Sequence, residues 1–441
     1  MVRRAHGTWA LGLVIAAGCS ANAPQAENTT SSAAVASSNG TTAPSSTGSS
    51  VNTTTSAGSG TTSSSSGVGT GPVVDAGGTP VDATASPEAS SGADGAAGGQ
   101  TGSDASTASD AGPGVRFVAR VDYESATGPR FAWSGSTILA QFTGSSIGIK
   151  LSGPPTYFDV TIDGTLQATP ILLATGTTNY SLATNLDGGV HSLSVFRRNE
   201  PSVNGTGVTT YLGLTLDPGG ALLAPTAPSA RRIEIVGDSV TSGFGDDSVN
   251  GACPDALLAQ NYDHAYGPVA ARTVGADLIT IAWTGKGMYR NDDGTTTMTM
   301  PDMYGLSLPT VSTSTWNFAS WIPDAVVIYL GNNDFGQGDP GQQYVTTYNA
   351  FIARVRMNYP NALIICTIGP NLTDPKLTEE RTYVQGIVTT QNTAGDMNVV
   401  FLEMPQPLAS EGTGCGGHPL AVTHARMGAA LATLLQTKLN W

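Results

Sequence analysis

The sequence predicts an α/β domain with a doubly wound, five-stranded parallel sheet, preceded by an all-β sandwich and by a long polar segment. Residues 229–441 alternate short apolar runs with helical stretches, which is typical of a parallel sheet covered by helices. Residues 114–225 contain short runs of strand alternation separated by Gly, Pro, Asn and Asp, as in antiparallel sandwiches. Residues 20–113 contain scarcely an aromatic or large aliphatic side chain.

The first residues, 1–19, have the pattern of an export signal. Arg3 and Arg4 precede an apolar run from Trp9 to Ala17, which is too short to span a bilayer. The small residues before Cys19 resemble a bacterial lipobox, which implies lipidation of Cys19; simple secretory cleavage nearby is the alternative. Both interpretations predict an exported protein, either secreted or held at the outer surface as a lipoprotein.

Residues 20–113 are predicted to be a disordered linker. Their Ser, Thr, Gly and Ala side chains cannot bury enough apolar surface to offset the entropy lost on ordering. Seven acidic residues and no Lys or Arg lie here, so the segment carries half of the formal net charge of −14. The remainder is only mildly acidic, and nothing indicates a nucleic-acid partner.

The segment 114–225 is predicted to be the sandwich. Its strand-like runs are 117–121, 137–142, 146–151, 157–162, 191–196 and 209–216. Asp163-Gly164 follows one of these runs directly and is a signal for a two-residue hairpin turn.

The segment 229–441 is predicted to be the α/β domain. Its strand-like runs are 233–236, 277–283, 325–330, 362–368 and 399–403, and its helical patterns are 262–274, 342–359, 378–393 and 421–439. In such sheets the functional site lies beyond the carboxyl ends of the strands. We expect Ser239, Gly285, Asn333 and His418 at this edge.

Ser239 is the candidate nucleophile. It stands in Gly237-Asp238-Ser239 directly after a short β-branched run, where a tight turn can lift one hydroxyl from the sheet edge and aim backbone N–H groups at a ligand. The same letters also suit an ordinary turn with an Asp or Ser helix cap.

The order of four blocks favours the catalytic interpretation. Gly285 and Gly287 follow the second strand, Gly331-Asn332-Asn333-Asp334 follows the third, and His418-Pro419 precedes the last helix. Together with Ser239 they resemble the SGNH, or GDSL-like, hydrolases. The resemblance implies that Ser239 attacks an ester, that His418 is the base, and that the oxyanion is bound by the N–H of Ser239, a glycine N–H and the Asn333 amide. Either Gly285 or Gly287 could supply the glycine N–H; we prefer Gly285.

His418 has two rivals, because His264 and His424 lie on predicted helices and could line the site. Only His418 stands in a glycine-rich loop that could present an imidazole to a neighbouring strand end.

The acid of a catalytic triad is missing from its usual place. SGNH enzymes usually carry an Asp two or three residues before the histidine, where this chain has Gly416 and Cys415. A Ser-His dyad, with a backbone carbonyl accepting the second imidazole N–H, is the simplest interpretation. Glu403 and Glu411 are the candidate substitute acids.

The cysteines fit an exported protein. Cys253 follows the nucleophile loop and Cys415 precedes the histidine, so a disulfide between them would join the two loops that must meet. Cys366 lies in an apolar run and is expected to be a buried thiol. No spacing typical of a metal site occurs, and no cofactor is expected.

A finer resemblance is to carbohydrate esterase family 2, whose members carry a β-jelly-roll ahead of an SGNH domain. The segments that resemble this family are 131–136, 142–145, 162–164, 197–200, 285–291, 316–318 and 321–324. The resemblance implies deacetylation of acetylated plant polysaccharides, such as xylan or glucomannan, or of their oligosaccharides. We expect a monomer that meets a membrane only through an N-terminal lipid anchor.

Aromatic residues near the predicted site could pack on sugar rings, and Trp283, Tyr289 and Trp316 are the candidates. The alternative for residues such as Phe318 and Trp321 is core packing under a long loop. Two other function classes stay open: a non-catalytic carbohydrate-binding surface lipoprotein, and a lipase-like SGNH esterase.

Overall fold

The computed structural model describes residues 114–202, 207–249, 251 and 253–441. The predicted signal, the candidate lipidation residue Cys19 and the predicted linker lie outside these residues. None of the helices in this part of the chain has the length and apolar character that crossing a bilayer requires.

The described chain begins with an all-β region. Its strands are β1 (Val115–Val118), β2 (Arg130–Phe131), β3 (Thr137–Thr143), β4 (Ile147–Gly153), β5 (Tyr157–Ile162), β6 (Thr165–Leu166), β7 (Ile171–Leu172), β8 (Gly176–Ala183), β9 (Val190–Arg197), β10 (Thr209–Leu216) and β11 (Ala221–Leu223). They pair antiparallel in two sheets, one in the order β1-β3-β9-β5-β6 and the other in the order β2-β10-β4-β8. The alternating inward residues of both sheets form one apolar core, for example Phe131, Phe142 and Phe158.

The hairpin signal and most strand predictions agree with this sandwich. Asp163 and Gly164 both have positive φ, at 50° and 76°, and they connect β5 to β6. Strand β8 was not predicted, because its sequence is polar and it lies at the edge of its sheet, where exposed residues outnumber buried ones. The first strand ends at Val118 rather than at the predicted Val121.

A five-stranded parallel sheet forms the second part. Its elements are β12 (Arg232–Gly237), α1 (Tyr266–Val274), β13 (Asp277–Ala282), α2 (Met300–Met303), β14 (Ala325–Tyr329), α3 (Asn332–Gly336), α4 (Gly341–Asn358), β15 (Leu363–Ile368), α5 (Lys376–Thr393), β16 (Val399–Glu403) and α6 (Ala421–Leu439). The strand order is β13-β12-β14-β15-β16. The chain therefore reverses its direction of winding between β12 and β14, and this switch point is where α/β sheets bind ligands.

Helices cover both faces of this sheet. Helices α1 and α6 pack on one face through residues such as Tyr266 and Leu431. Helices α4 and α5 pack on the other through residues such as Ile352 and Val384. The predicted helix over 262–274 is in fact a 3₁₀ turn, Tyr262–His264, followed by α1, because Ala265 between them is extended.

Buried Arg120 connects the sandwich to the α/β domain. Its guanidinium forms a salt bridge with Glu234 of β12 at 3.0 Å, both side chains being fully buried, and donates to the carbonyl of Tyr304. A second bridge joins Arg116 to Asp277 at 2.7 Å. Arg116 of β1 and Arg120 just after it thus anchor one domain on the other, and Arg120 serves this contact instead of extending the strand.

Candidate active site

The turn after β12 presents Ser239. Gly237 packs so closely on Thr241 that a Cβ at this position would overlap the threonine side chain. The carbonyl of Ser239 accepts hydrogen bonds from the Phe244 N–H and from the Ser242 hydroxyl, both at 3.0 Å. These contacts fix the turn, and the hydroxyl of Ser239 is left to face the histidine loop.

Ser239 and His418 form a hydrogen-bonded pair. The Oγ of Ser239 lies 2.7 Å from Nε2 of His418, and Nδ1 of His418 lies 2.8 Å from the carbonyl oxygen of Cys415. Because a carbonyl can only accept, Nδ1 carries the proton and Nε2 is free to accept the serine proton. The backbone therefore selects the tautomer that a general base needs.

The surroundings of His418 favour the neutral imidazole. Burial lowers the pKa of His418, and the hydrogen bond to the Cys415 carbonyl opposes this shift. The ring of Phe244 stands edge-on to the imidazole at a centroid distance of 5.0 Å. No sequence pattern predicts this contact, although Phe244 stands between the two glycines of the nucleophile loop, Gly243 and Gly245.

A disulfide joins the nucleophile loop to the histidine loop. Cys253 and Cys415 are linked across a sequence separation of 162 residues. The N–H of Cys415 donates to Ser248 Oγ at 2.9 Å. At Gly245, where φ is +77°, a Cβ would lie 2.6 Å from Cβ of Cys415. The residue whose carbonyl orients His418 is thus held by covalent, polar and steric contacts.

The structure favours Gly285 over Gly287 as an oxyanion donor. The N–H of Gly287 donates to Asn291 Oδ1 at 3.2 Å, so it is engaged within its own loop. Gly285 has φ of +80°, and a Cβ there would meet the carboxylate of Asp292 at 2.7 Å. Glycine is therefore required for this turn on both conformational and steric grounds.

The two asparagines after β14 have different surroundings. One N–H of the Asn333 amide donates to the Lys286 carbonyl at 2.8 Å; within the part of the chain that the structure describes, the other hydrogen-bond contact of this nitrogen is a long one, 3.5 Å, to Asp238. The amide of Asn332 instead contacts Asp238 at 3.3 Å and the Tyr329 hydroxyl at 3.2 Å. Since an amide has two hydrogens, Asn333 has one available for an oxyanion, whereas Asn332 uses both internally.

Two buried carboxyl groups organise these loops, and their roles were not predicted from the sequence. Asp334 accepts hydrogen bonds from the N–H groups of Met288, Tyr289 and Arg290 at 2.7 to 2.8 Å, which ties the loop after β13 to the loop after β14. Asp238 accepts from the Val240 N–H at 3.0 Å, and burial raises the pKa of Asp238 to about 7. The signal for these roles in the sequence was position, because Asp334 directly follows Asn333 and Asp238 directly precedes Ser239.

The rival histidines have partners of their own. His264 is half-exposed and lies 2.7 Å from Asp247. His424 is fully buried on α6, accepts from the Tyr266 N–H at 3.3 Å, and has its pKa lowered by burial to about 3. Neither replaces His418 beside Ser239.

The candidate substitute acids are also engaged. Glu403 forms a two-pronged ion pair with Arg381, both contacts at 2.7 Å. Glu411 pairs with Arg426 at 2.6 Å. Since both ring nitrogens of His418 already contact Ser239 and Cys415, the geometry is that of a dyad.

The aromatic candidates separate into two groups. Trp283 and Tyr289 are partly exposed in the loop that carries Gly285. Trp316 instead packs under the guanidinium of Arg120, at 5.3 Å, in the contact between the domains. Phe318 also lies 5.3 Å from this guanidinium, in line with the expected core packing. The assignment of Trp316 to the substrate stays a prediction, because its side chain is partly exposed, like those of Trp283 and Tyr289. Cys366 is a buried free thiol on β15.

Comparison with known proteins gives two matching family models. The model described as "Carbohydrate esterase 2 N-terminal" matches residues 117–226, and the "GDSL-like Lipase/Acylhydrolase family" matches residues 235–426. The boundary between the matches coincides with the passage from the sandwich to the α/β sheet.

Similar proteins cover both domains. The cellulase/esterase CelE of Acetivibrio thermocellus is 34% identical over 340 residues, which are 77% of this chain and 41% of that protein. This chain thus spans less than half the length of that relative. An acetylxylan esterase / glucomannan deacetylase of Cellvibrio japonicus is 27% identical over 334 residues, 75% of this chain and 90% of that protein. The structure of a family two carbohydrate esterase from Clostridium thermocellum in complex with cellohexaose is 34% identical with a TM-score of 0.71, covering 74% of this chain and 100% of that one.

Proposed function

Because this chain belongs to carbohydrate esterase family 2, we propose that it is a serine esterase that removes acetyl groups from acetylated plant polysaccharides of the xylan or glucomannan type, or from their oligosaccharides. The observation that carries the proposal is the chain of contacts from Ser239 Oγ through His418 to the carbonyl of Cys415, at 2.7 and 2.8 Å. It contains a nucleophile, a base and an orienting group.

The geometry supports the following sequence of steps. Ser239 Oγ attacks the acetyl carbonyl while its proton passes to Nε2 of His418. The oxyanion that forms is stabilised by the N–H groups of Ser239 and Gly285 and by the free amide hydrogen of Asn333. Collapse of this intermediate releases the sugar hydroxyl, which takes its proton from His418. A water molecule, deprotonated by His418, then hydrolyses acetyl-Ser239 and releases acetate.

The dyad replaces the carboxylate of a triad by an uncharged acceptor. The Cys415 carbonyl still fixes the tautomer of His418, so the larger part of the acid's role is retained. What it gives up is full charge stabilisation of the imidazolium. The proposed enzyme therefore works without a carboxylate partner.

The carbohydrate substrate is supported by the relatives and by the loop after β13. One relative is named a cellulase/esterase and another an acetylxylan esterase / glucomannan deacetylase, and one similar structure is a complex with cellohexaose. Trp283 and Tyr289 offer partly exposed aromatic faces next to Gly285, on which a sugar ring can pack.

The export of the protein is part of the same proposal. The disulfide between Cys253 and Cys415 supports an oxidising compartment, and the N-terminal sequence supports a lipid anchor at Cys19. We expect Cys19→Ser to move the protein from the membrane fraction to the soluble exported fraction. The same distribution for both forms would exclude the anchor.

Release of acetate is the direct test. Acetylated xylan, acetylated glucomannan, p-nitrophenyl acetate and a long-chain p-nitrophenyl ester should be compared, with Ser239→Ala as the matched control. The proposal expects acetate from the glycans, little hydrolysis of the long-chain ester and none with the variant. Faster hydrolysis of the long-chain ester would indicate a lipase-like enzyme, and glycan binding without hydrolysis would indicate a non-catalytic protein.

A further inference from the structure

The segment that follows β9 carries a carboxyl group from the sandwich into the α/β domain. Glu200 is fully buried, and so are Arg197 and Asn199 just before it. Asn199 anchors the segment, since its amide nitrogen donates to the carbonyls of Leu257 at 2.8 Å and Gln260 at 3.1 Å. A buried carboxyl group is costly unless its oxygens are hydrogen-bonded, so the partners of Glu200 matter.

One set of partners belongs to the loop that carries Gly285. Oε2 of Glu200 accepts from the backbone N–H of Thr284 at 2.6 Å, and Oε1 accepts from the hydroxyl of the same threonine. Thr284 directly precedes Gly285 in the chain. Holding both donors of Thr284 fixes the backbone just before Gly285, whose N–H the proposed function assigns to the oxyanion.

The other set leads to the nucleophile turn. Gln260 Nε2 donates to Oε1 of Glu200 and to Oγ of Ser242, both at 3.1 Å. Ser242 in turn donates to the carbonyl of Ser239 at 3.0 Å. The Glu200 N–H also donates to Oε1 of Gln260 at 3.0 Å, so two hydrogen bonds join Glu200 to Gln260. One carboxyl group is therefore hydrogen-bonded, directly or through Gln260 and Ser242, to the turns of Ser239 and Gly285.

We propose that Glu200 of the sandwich is a positioning residue for the oxyanion hole, holding the N–H groups of Ser239 and Gly285 in register with each other. The sandwich domain is then part of the catalytic machinery and not only a neighbour of it. This inference rests on the proposed esterase function. It assigns to Glu200 no contact with the substrate, since the residue acts through Thr284 and Gln260.

The principal test is the kinetics of Glu200→Gln on p-nitrophenyl acetate, per active site as counted by titration. The amide keeps the size of the side chain but offers one acceptor oxygen to donors that now share two, namely both groups of Thr284, Gln260 and Ser202. Because a small misplacement of an oxyanion donor lowers turnover, we expect kcat to fall by about tenfold to a hundredfold while KM changes by less than about threefold. Phenylboronic acid, which adds to a serine hydroxyl as a tetrahedral anion, should bind more weakly by a similar factor.

The matched control is Arg116→Gln. Arg116 also joins the sandwich to the α/β domain, through Asp277. Asp277 is the first residue of β13, so this contact lies at the amino end of the strand, whereas the site lies at the carboxyl ends of the strands. This variant should keep kcat within about twofold, since no oxyanion donor moves. A role for Glu200 in stability alone would lower the melting temperature of Glu200→Gln and leave its kcat per active site unchanged, which would overturn the inference.

Two milder variants keep the inference testable if Glu200→Gln does not fold. Thr284→Val removes the hydroxyl contact and retains the N–H, and Gln260→Met cuts the link to Ser242. Each should lower kcat with KM nearly constant, and unchanged kcat in both would overturn the inference. If the parent protein itself does not hydrolyse the ester, the proposed function fails. If the parent is active and Ser239→Ala is inactive, but the Glu200, Thr284 and Gln260 variants retain the kcat of the parent, only the inference fails.

Discussion

The two asparagines after β14 give a sharp prediction, because they are chemically identical neighbours with different hydrogen-bond partners. Asn333 has one amide hydrogen left for an oxyanion after its bond to the Lys286 carbonyl at 2.8 Å. Asn332 is buried, and its amide nitrogen donates to Asp238 at 3.3 Å and to the Tyr329 hydroxyl at 3.2 Å. Substituting each by alanine should therefore separate catalysis from stability.

The magnitudes follow from these partners. Asn333→Ala removes one oxyanion donor, so kcat should fall by about a hundredfold to a thousandfold, roughly 2.7–4 kcal/mol of transition-state stabilisation, with a smaller change in KM. Asn332→Ala leaves the oxyanion donors in place and removes two internal hydrogen bonds, so it should lower the free energy of unfolding by about 1–3 kcal/mol and reduce kcat far less.

The assay combines steady-state hydrolysis of p-nitrophenyl acetate with denaturant unfolding of the same preparations. Asn333→Asp serves as a second variant, because it keeps the shape of the side chain and removes both donors. If Asn332→Ala lost more kcat than Asn333→Ala, the assignment of the oxyanion donor would be wrong. If Asn333→Ala changed only KM, Asn333 would be a substrate-binding residue.

The remaining predictions concern the histidine and its loop. Glu403→Gln and Glu411→Gln should each keep kcat/KM within about tenfold of the parent, roughly 1.4 kcal/mol, whereas His418→Ala should lose more. If either amide variant lost as much activity as His418→Ala with its fold unchanged, the substituted glutamate would be the acid. Replacing Cys253 and Cys415 together by serine should reduce the free energy of unfolding by about 2–4 kcal/mol and lower activity, and full activity would show that the link does not hold the histidine loop. Because burial lowers the pKa of His418 and the neutral imidazole is the base, the acidic limb of kcat/KM should have its midpoint below pH 6.5. His264→Gln should leave that limb in place, because Asp247 raises the pKa of His264. A shift of the limb in this control variant would show that the limb reports on His264 and not on His418.

The fold could be predicted to a large extent because both periodicities are strong in this chain. The strands of the parallel sheet are continuous β-branched runs, and observed boundaries such as Val399–Glu403 and Ala421–Leu439 agree with the pattern. Strand β8 was missed because an edge strand needs few apolar residues. The end of β1 was placed too late because Arg120 continues its alternation but serves the contact between the domains.

The candidate site residues were recognisable where they stand in short sequence blocks, whereas the contacts that position them were missed because tertiary structure decides them. Ser239, Gly285, Asn333 and His418 stand in recognisable blocks, and the topology of the sheet brings such blocks to one edge. The three N–H contacts of Asp334 and the buried link through Glu200 join segments far apart in sequence, which periodicity does not reveal. The contact of Trp316 with Arg120 was likewise not predicted, because it joins the two domains.

The acceptor for His418 is a main-chain oxygen, and this affects what genetics can detect. Every residue type supplies the same carbonyl at position 415, so no side-chain replacement there deletes it, and an alanine scan would report the loss of the disulfide instead. The orienting group is visible only to changes that move the backbone, such as replacing Gly416 or Gly417, whose φ values are +59° and +81°. Random mutagenesis of this enzyme should therefore yield inactive alleles at two glycines where a triad enzyme yields them at an aspartate.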